Sequence, residues 1–241
     1  VRLYLVAGKV TDSVTHGFLP AAAGLGLETI LLTDRPDDHR AVSPPGVEII
    51  ECDVADYRDI IAHLAAPGAV FSNSDHLQAA TALAAAYHGL PAKDWRAALR
   101  TKNKALMRRH LASVGLDQVR TADPETGSPP FPCVLKPREG VASEDVFLVN
   151  DRDELAARLA EIRTRRRDPL VAEEYLPGEL RTLETLGDGE SLHVLGSFST
   201  ALSPPPHFVE LRMDWAPPPP ETGQVLAQLT ALGVGLGACH T

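Results

Sequence analysis

The sequence predicts an α/β chain in two parts, a small doubly wound parallel sheet at the N-terminus followed by an α+β module. Two observations predict it. Up to Tyr87, apolar strand-like runs alternate with helical stretches; beyond the polar, proline-rich loop 122–130, strands follow one another with only turns or a single helix between them. The size agrees with two domains, because 241 residues, 44% of them hydrophobic, exceed one average domain and supply material for two cores.

The first strand is read at Arg2-Leu3-Tyr4-Leu5-Val6-Ala7-Gly8, and an Ala/Leu/Gly-rich helix follows over 18–25. Strands at 28–34, 47–53 and 69–72 then alternate with helices at 57–64 and 77–87, which gives the doubly wound pattern. Asp34, at the end of the second strand, stands where a dinucleotide fold carries its ribose-binding acid. The first turn, Ala7-Gly8-Lys9-Val10-Thr11-Asp12-Ser13, nevertheless lacks the Gly-x-Gly-x-x-Gly that lets backbone approach a pyrophosphate, and Gly24-x-Gly26 is better explained as a helix end. Gly89-Leu90-Pro91 punctuates the chain. A helix is predicted from Thr101 through Leu111, with Leu106, Leu111 and Val114 as its buried stripe and Gly115 as its stop. After the loop come a strand at 131–136, a loop at 137–145, a strand at 146–149, a helix at 151–165, a strand at 170–175, a strand pair about the turn Gly187-Asp188-Gly189 spanning 181–198, and a helix at 221–232.

Lys plus Arg total 23 against 32 Asp plus Glu, a formal charge of −9 that argues against a basic nucleic-acid surface. The basic run Arg163–Arg167 is expected to be a solvated face. Cys52, Cys133 and Cys239 are far apart and form no Cys-x-x-Cys pair, and the histidines are scattered. A reducing cytoplasm is expected, with no metal held by cysteine. The apolar start has no charged leader, and no window reaches the ~20 apolar residues of a spanning helix. A soluble, unsecreted protein with no membrane partner is expected.

Two segments carry candidate chemistry. Phe131-Pro132-Cys133-Val134-Leu135-Lys136-Pro137 is an apolar strand ending in lysine, followed by Arg138-Glu139-Gly140-Val141-Ala142-Ser143. A small-residue loop after such a lysine can fold its amides over phosphate oxygens while the ammonium neutralises them; an ordinary turn after a solvated lysine fits equally. Leu170 to Glu179 is a strand stopped by Pro177-Gly178. Its backbone can offer a carbonyl and an amide to an adenine edge, or its acids can face water from an edge strand.

In this order the pieces resemble the ATP-grasp superfamily over nearly the whole chain. Asn103-Lys104-Ala105-Leu106-Met107-Arg108 resembles a family helix that opens with Asp-Lys. Asn103 replaces the acid and Lys104 is the transferable phosphate ligand. Phe131 to Ser143 resembles the family's Phe-Pro-x-Val-x-Lys-Pro strand and glycine-rich flap, which implies that Lys136 binds the α/β-phosphates and that Gly140 and Ser143 lie in the flap, with Glu144-Asp145 where Arg-Gly or Lys-Gly is frequent. Glu173-Glu174-Tyr175-Leu176 resembles the adenine hinge. The ribose acid follows two residues after the hinge glycine, a place taken by Leu180, with Glu179 one residue early and Glu184 on the next strand. His207-Phe208-Val209-Glu210, with Arg212, resembles the acceptor-substrate side of the site, although a structural histidine and a surface-paired arginine fit as well.

The resemblance implies a pre-ATP-grasp domain at 1–92, a helical linker at 93–130, a nucleotide-binding lobe at 131–200 and the start of a C-terminal lobe at 201–241. It implies an ATP-dependent carboxylate-amine ligase working through an acyl phosphate with ATP and Mg²⁺, joining an amino acid or small carboxylic acid to an amine in secondary metabolism, including siderophore-type pathways. A biotin-carboxylase-like or purine-pathway carboxylase and a non-catalytic nucleotide-binding module are the rival readings. The family's metal-binding acid and Asn-x-Arg segment follow a His-Thr-Glu that His240-Thr241 begins, so these 241 residues are expected to be inactive as a ligase by themselves and to contain no assigned catalytic or metal ligand. The acyl donor, the amine and the oligomeric state, a homodimer included, stay open.

Overall fold

The computed structural model describes residues 1–117, 119–141 and 143–240. Ala142 of the flap and Thr241 of the terminal His-Thr pair lie outside them. The chain forms two compact units, Val1–Leu99 and Arg100–Thr241.

The first unit is built on four parallel strands, β1 (Arg2–Val6), β2 (Glu28–Thr33), β3 (Glu48–Glu51) and β4 (Ala69–Phe71), in the order β3-β2-β1-β4. Parallel neighbours need crossovers. These are α1 (Leu19–Gly24), entered through a π-helical stretch Ser13–Phe18, then α2 (Pro36–Arg40) and α3 (Tyr57–His63); α4 (Gln78–Tyr87) follows β4. Side chains alternate between two cores. Tyr4, Val6, Ile30 and Leu32 bury with Ile60 and Ala84 on one face, and Leu5 and Leu31 bury with Val14 and Leu19 on the other. A sheet covered on both faces selects apolar residues at every position, which is why its strands read as continuous runs. The helix predicted at 18–25 is shorter than expected, with Pro20 in its first turn, where a missing N–H costs nothing. The short α2 was not predicted, since five residues carry too little periodicity. Asp56 caps α3 by accepting the Arg58 N–H. Just after β3, Cys52 is buried, and burial, followed by the Asp59 carboxylate, pushes its thiol up to about 12.

In the second unit, the single helix predicted from Thr101 is two helices. Thr101 and Lys102 close α5 (Trp95–Lys102), and Asn103 then leaves helical geometry (φ −92°, ψ 102°) so that its side chain accepts the Leu106 N–H at 3.1 Å and starts α6 (Lys104–Ser113). The asparagine standing in place of an acid is a helix cap.

Two antiparallel sheets follow. The first contains β5 (Thr121–Ala122), β6 (Cys133–Pro137), β7 (Phe147–Val149) and β8 (Leu170–Glu174) in the order β5-β8-β6-β7. On it lies α7 (Arg152–Arg163), capped by Asp151, whose Leu155 and Ile162 bury against Cys133, Leu135, Phe147 and Val149. The second sheet contains β9 (Leu180–Asp188), β10 (Leu192–Leu202), β11 (Glu210–Ala216) and β12 (Leu236–His240) in the order β11-β10-β9-β12, with α8 (Thr222–Leu232) between β11 and β12. Thus β9 and β10, grouped by sequence with 131–200, pair with strands from 201–241, and β11 occupies a stretch where no strand was predicted. Sheet membership is set by long-range register, which a hairpin turn does not encode. Among the described residues, no helix is long and apolar enough to cross a membrane.

Gly187 marks a close approach of backbone to backbone in the second sheet, because a Cβ there would meet the Gly235 carbonyl oxygen at 2.2 Å. Gly187→Ala is expected to lower stability by about 1–3 kcal/mol, the usual cost of overpacking. Gly223→Ala, inside α8 with nothing within 4 Å of the new methyl, is expected to be neutral or stabilising. Urea unfolding of the two variants beside the parent checks both; equal midpoints would show that the close approach carries no constraint.

Candidate functional site

The site is assembled from β6, β8 and α6. Along β6, Cys133, Leu135 and Pro137 point into the core, so Lys136 projects to the other face. On that face Glu173 of β8 stands directly across from Val134, one diagonal step from Lys136. The Lys136 ammonium reaches it, with Nζ 2.6 Å from Oε2. From α6, Arg108 donates through Nε and Nη2 to both oxygens of Glu173 at 3.3 and 3.4 Å, and through Nη1 to Asp117 at 3.1 Å. Glu173 is only 4% exposed. Burial opposes its ionisation, and Lys136 and Arg108 together outweigh that penalty, so its carboxyl titrates below the ordinary glutamate range.

Lys104 sits one turn before Arg108, on the same face of α6. Its ammonium donates to the Gly140 carbonyl at 2.9 Å and its backbone N–H to the Arg138 carbonyl at 2.9 Å. Asn103 adds a bond from Nδ2 to the Glu139 carboxylate at 2.8 Å. The loop after Lys136 is therefore tied to the start of α6 through Lys104 and Gly140, and Lys136 is linked to the same helix through Glu173 and Arg108. Sequence reading gave Arg108 and Asp117 no role. The spacing of Arg108 from Lys104 was the available signal, while Glu173 lies 65 residues away.

The rest of the flap corrects an expectation. Within the basic run Thr164, Arg165 and Arg167 are exposed as expected, but the face is also paired: Arg165 with Asp145 at 2.8 Å, Arg166 with Asp145 at 3.0 Å and with Glu144 at 3.2 Å, and Arg163 with Glu125 at 2.9 Å. The acids that replace the usual basic-glycine pair in the flap are the partners of this run. Ser143 and Asp145 both take left-handed backbone (φ 55° and 54°), so the turn is closed without glycine there.

The hinge candidates divide. The Glu174 carboxylate accepts the Arg120 backbone N–H at 2.9 Å and its Nε at 2.7 Å. The amides of Glu174 and Tyr175 donate to the carbonyls of Arg120 and Pro132, leaving Leu176, which is exposed, as the next amide along the hinge. Glu179 bonds Ser199 and Arg181 on the second sheet, and the partly buried Glu184 is in register with Gly196 and His240. On the acceptor side, the His207 ring meets Phe147 with centroids 5.3 Å apart, and the Phe208 ring lies 6.2 Å from that of Tyr175. Glu210 opens the exposed strand β11. Arg212 pairs with Asp214 two residues along, at 2.7 Å, both side chains being exposed.

Residues 101–202 match the model of the family described as ATP-grasp domain. The chain carries an ATP-grasp domain. Its fold is that of the L-amino acid ligase from Bacillus licheniformis, with a TM-score of 0.82 at 21% identity over 100% of this chain and 62% of that one. Similar too are the N5-carboxyaminoimidazole synthetase from Staphylococcus aureus complexed with ADP (TM-score 0.70, 16% identity, 98% of this chain and 64% of that one) and the Hydrogenobacter thermophilus 2-oxoglutarate carboxylase biotin carboxylase domain with MgADP and bicarbonate (0.70, 17%, 98% and 59%). This chain thus spans less than two thirds of the length of these proteins. No curated protein sequence matches it significantly.

The buried carboxylate of the ATP-grasp domain makes a pH prediction. A depressed folded pKa stabilises the fold above the ordinary glutamate pKa, and that contribution is lost as pH falls through the folded value. Glu173→Gln, which leaves two cations facing a neutral amide, is expected to cost about 2–4 kcal/mol at pH 7. It should also flatten the acid side of the stability curve. Denaturation at several pH values tests this, and a variant with parental stability at neutral pH would show that Glu173 is not the keystone of this cluster.

Proposed function

We propose that this chain belongs to an ATP-dependent carboxylate-amine ligase acting through an acyl phosphate. The observation that carries this reading is the gathering of Lys104 and Lys136, from α6 and β6, at one loop: Lys104 holds Gly140, and Lys136 is linked back to α6 through Glu173 and Arg108. Two ammonium groups beside a short loop are the donors that a polyphosphate needs. In this reading Lys136 takes the α/β-phosphates, Lys104 a neighbouring phosphate, and the loop amides around Gly140 and Ser143 cover them. Glu173 positions Lys136 instead of meeting the base; the Leu176 amide and the Glu174 carbonyl serve the adenine edge. Glu179 and Glu184 are the ribose candidates, and His207, Glu210 and Arg212 lie toward the acceptor.

The proposed chemistry is two displacements. A substrate carboxylate oxygen attacks the γ-phosphorus and ADP leaves; an amine nitrogen then attacks the acyl carbon, losing a proton as inorganic phosphate departs. Positioning and charge neutralisation are the protein's share. Mg²⁺ accompanies the nucleotide in this reading and neutralises the phosphate charge. The carboxylates of the described cluster, Glu173 and Asp117, are committed to cations, so no step is assigned to a metal held by them.

The similarity in fold to an L-amino acid ligase supports an amino acid or another small carboxylic acid as acyl donor and an amine as acceptor. The reading of secondary metabolism, siderophore-type pathways included, rests on the short N-terminal domain and the His207-Phe208-Val209-Glu210 stretch. The wide spacing of Cys52, Cys133 and Cys239 in the sequence supports a reducing, cytoplasmic site of action in this reading.

Lys136→Ala is expected to weaken ATP binding by about 10- to 100-fold, the worth of a charge-assisted contact, with the circular dichroism spectrum unchanged. Calorimetric titration decides this, and unaltered affinity refutes the assignment. In the full-length protein, ATP hydrolysis should require an amine together with a carboxylic acid. Turnover that needs bicarbonate instead would make it a carboxylase, and ADP binding without any turnover would make it a nucleotide-binding module.

A further inference from the structure

Outside the nucleotide site, the first unit gathers a second set of chemically active groups. Cys52 follows β3, while Asp59 and His63 lie four residues apart on one face of α3, and one ligand atom from each of the three falls within 4.8 Å of the others. We propose that Cys52, Asp59 and His63 form a binding site for a divalent cation of the zinc class.

Three features support it. The donor set of sulfur, imidazole nitrogen and carboxylate oxygen suits a borderline-soft ion and not Mg²⁺ or Ca²⁺, which take oxygen alone. The side chains are also held in place. Asp59 Oδ2 accepts the Asp53 backbone N–H at 2.7 Å, and the His63 ring is oriented by Nδ1, which donates to the Asp59 carbonyl at 2.8 Å and lies 3.6 Å from Asp59 Oδ1. Finally, Cys52 and Asp59 line a cavity of about 330 Å³ with Asp34, Glu51 and Asp53, beyond the carboxyl ends of β2 and β3. Three protein ligands and a fourth position open to that cavity give the coordination of an accessible zinc site.

Ligand atoms around a tetrahedral zinc are about 3.5 Å apart, so binding draws this group together by about an ångström. Asp59 and His63 are both partly exposed, which lets their side chains move that far. As the sulfur-metal bond forms, the thiol proton passes to solvent. Spacing alone implies the opposite, no metal held by cysteine, because the Cys and His residues are scattered along the chain and form no close pairs. Here the ligands are brought together by a strand end and a helix face.

The test is to titrate the reduced, metal-free chain with Co²⁺ alone, without nucleotide. A sulfur-to-cobalt charge-transfer band saturating at one ion per chain, and lost on adding Zn²⁺, is expected. Cys52→Ser should abolish the band, and His63→Ala and Asp59→Asn should each weaken Co²⁺ binding at least about tenfold. Lys136→Ala should leave it unchanged, which separates this site from the nucleotide reading. No band in the parent chain overturns the proposal, as does a band that survives Cys52→Ser. If Cys52→Ser fails to fold, unchanged Co²⁺ affinity in His63→Ala overturns it equally.

Discussion

The ATP-grasp domain is organised around a buried carboxylate held by two cations. Glu173 lies in the β8 strand at 4% exposure, and an ion so placed persists only where its charge is answered at short range. Lys136 answers from the neighbouring strand and Arg108 from the helix above, so one residue fixes the relation between sheet and α6. Asp117 completes the group on the far side of Arg108. Two positive and two negative charges balance locally, and the apolar face of the same sheet, built from Cys133, Leu135 and Phe147, supplies the rigid backing.

The loop following Lys136 shows another way to build an ordered turn. Where glycines would let the backbone fold freely, this chain uses ion pairs: Asp145 is held by Arg165 and Arg166, and Glu144 by Arg166. Exposed pairs are individually worth little. Asp145 is different in being largely buried and met by two arginines, and it adopts the left-handed conformation usually left to glycine. The poverty of glycine in this segment and the arginine run at 163–167 are thus two halves of one feature.

Much of the fold was legible in the sequence because its signals are local. Continuous apolar runs separated by helices give a parallel sheet covered on both faces, and a strand alternating Cys133, Leu135, Pro137 against Val134, Lys136 presents its lysine away from the core. What stayed hidden depends on contacts between distant positions. Nothing near Arg108 announces Glu173. The pairing of the arginine run was hidden because Asp145, the partner of Arg165, lies 20 residues upstream. Strands β9 and β10 looked like a local hairpin, yet their sheet is completed from either side by β11 and β12. Asn103 looked like a lost acid, and it is a cap whose amide also holds Glu139. Arg212 is a candidate fork for a carboxylate, and in the strand it pairs with Asp214, one of two acids two residues away.

The bond between the Lys104 ammonium and the Gly140 carbonyl couples two things that are usually considered apart. A cation resting on backbone has part of its hydrogen-bonding capacity occupied, so any anion that recruits it competes with the loop for the same donor. Loop freedom and anion affinity then become reciprocal quantities: drawing the lysine outward loosens the turn, and stiffening the turn by whatever means weakens the draw to an equal degree in free energy.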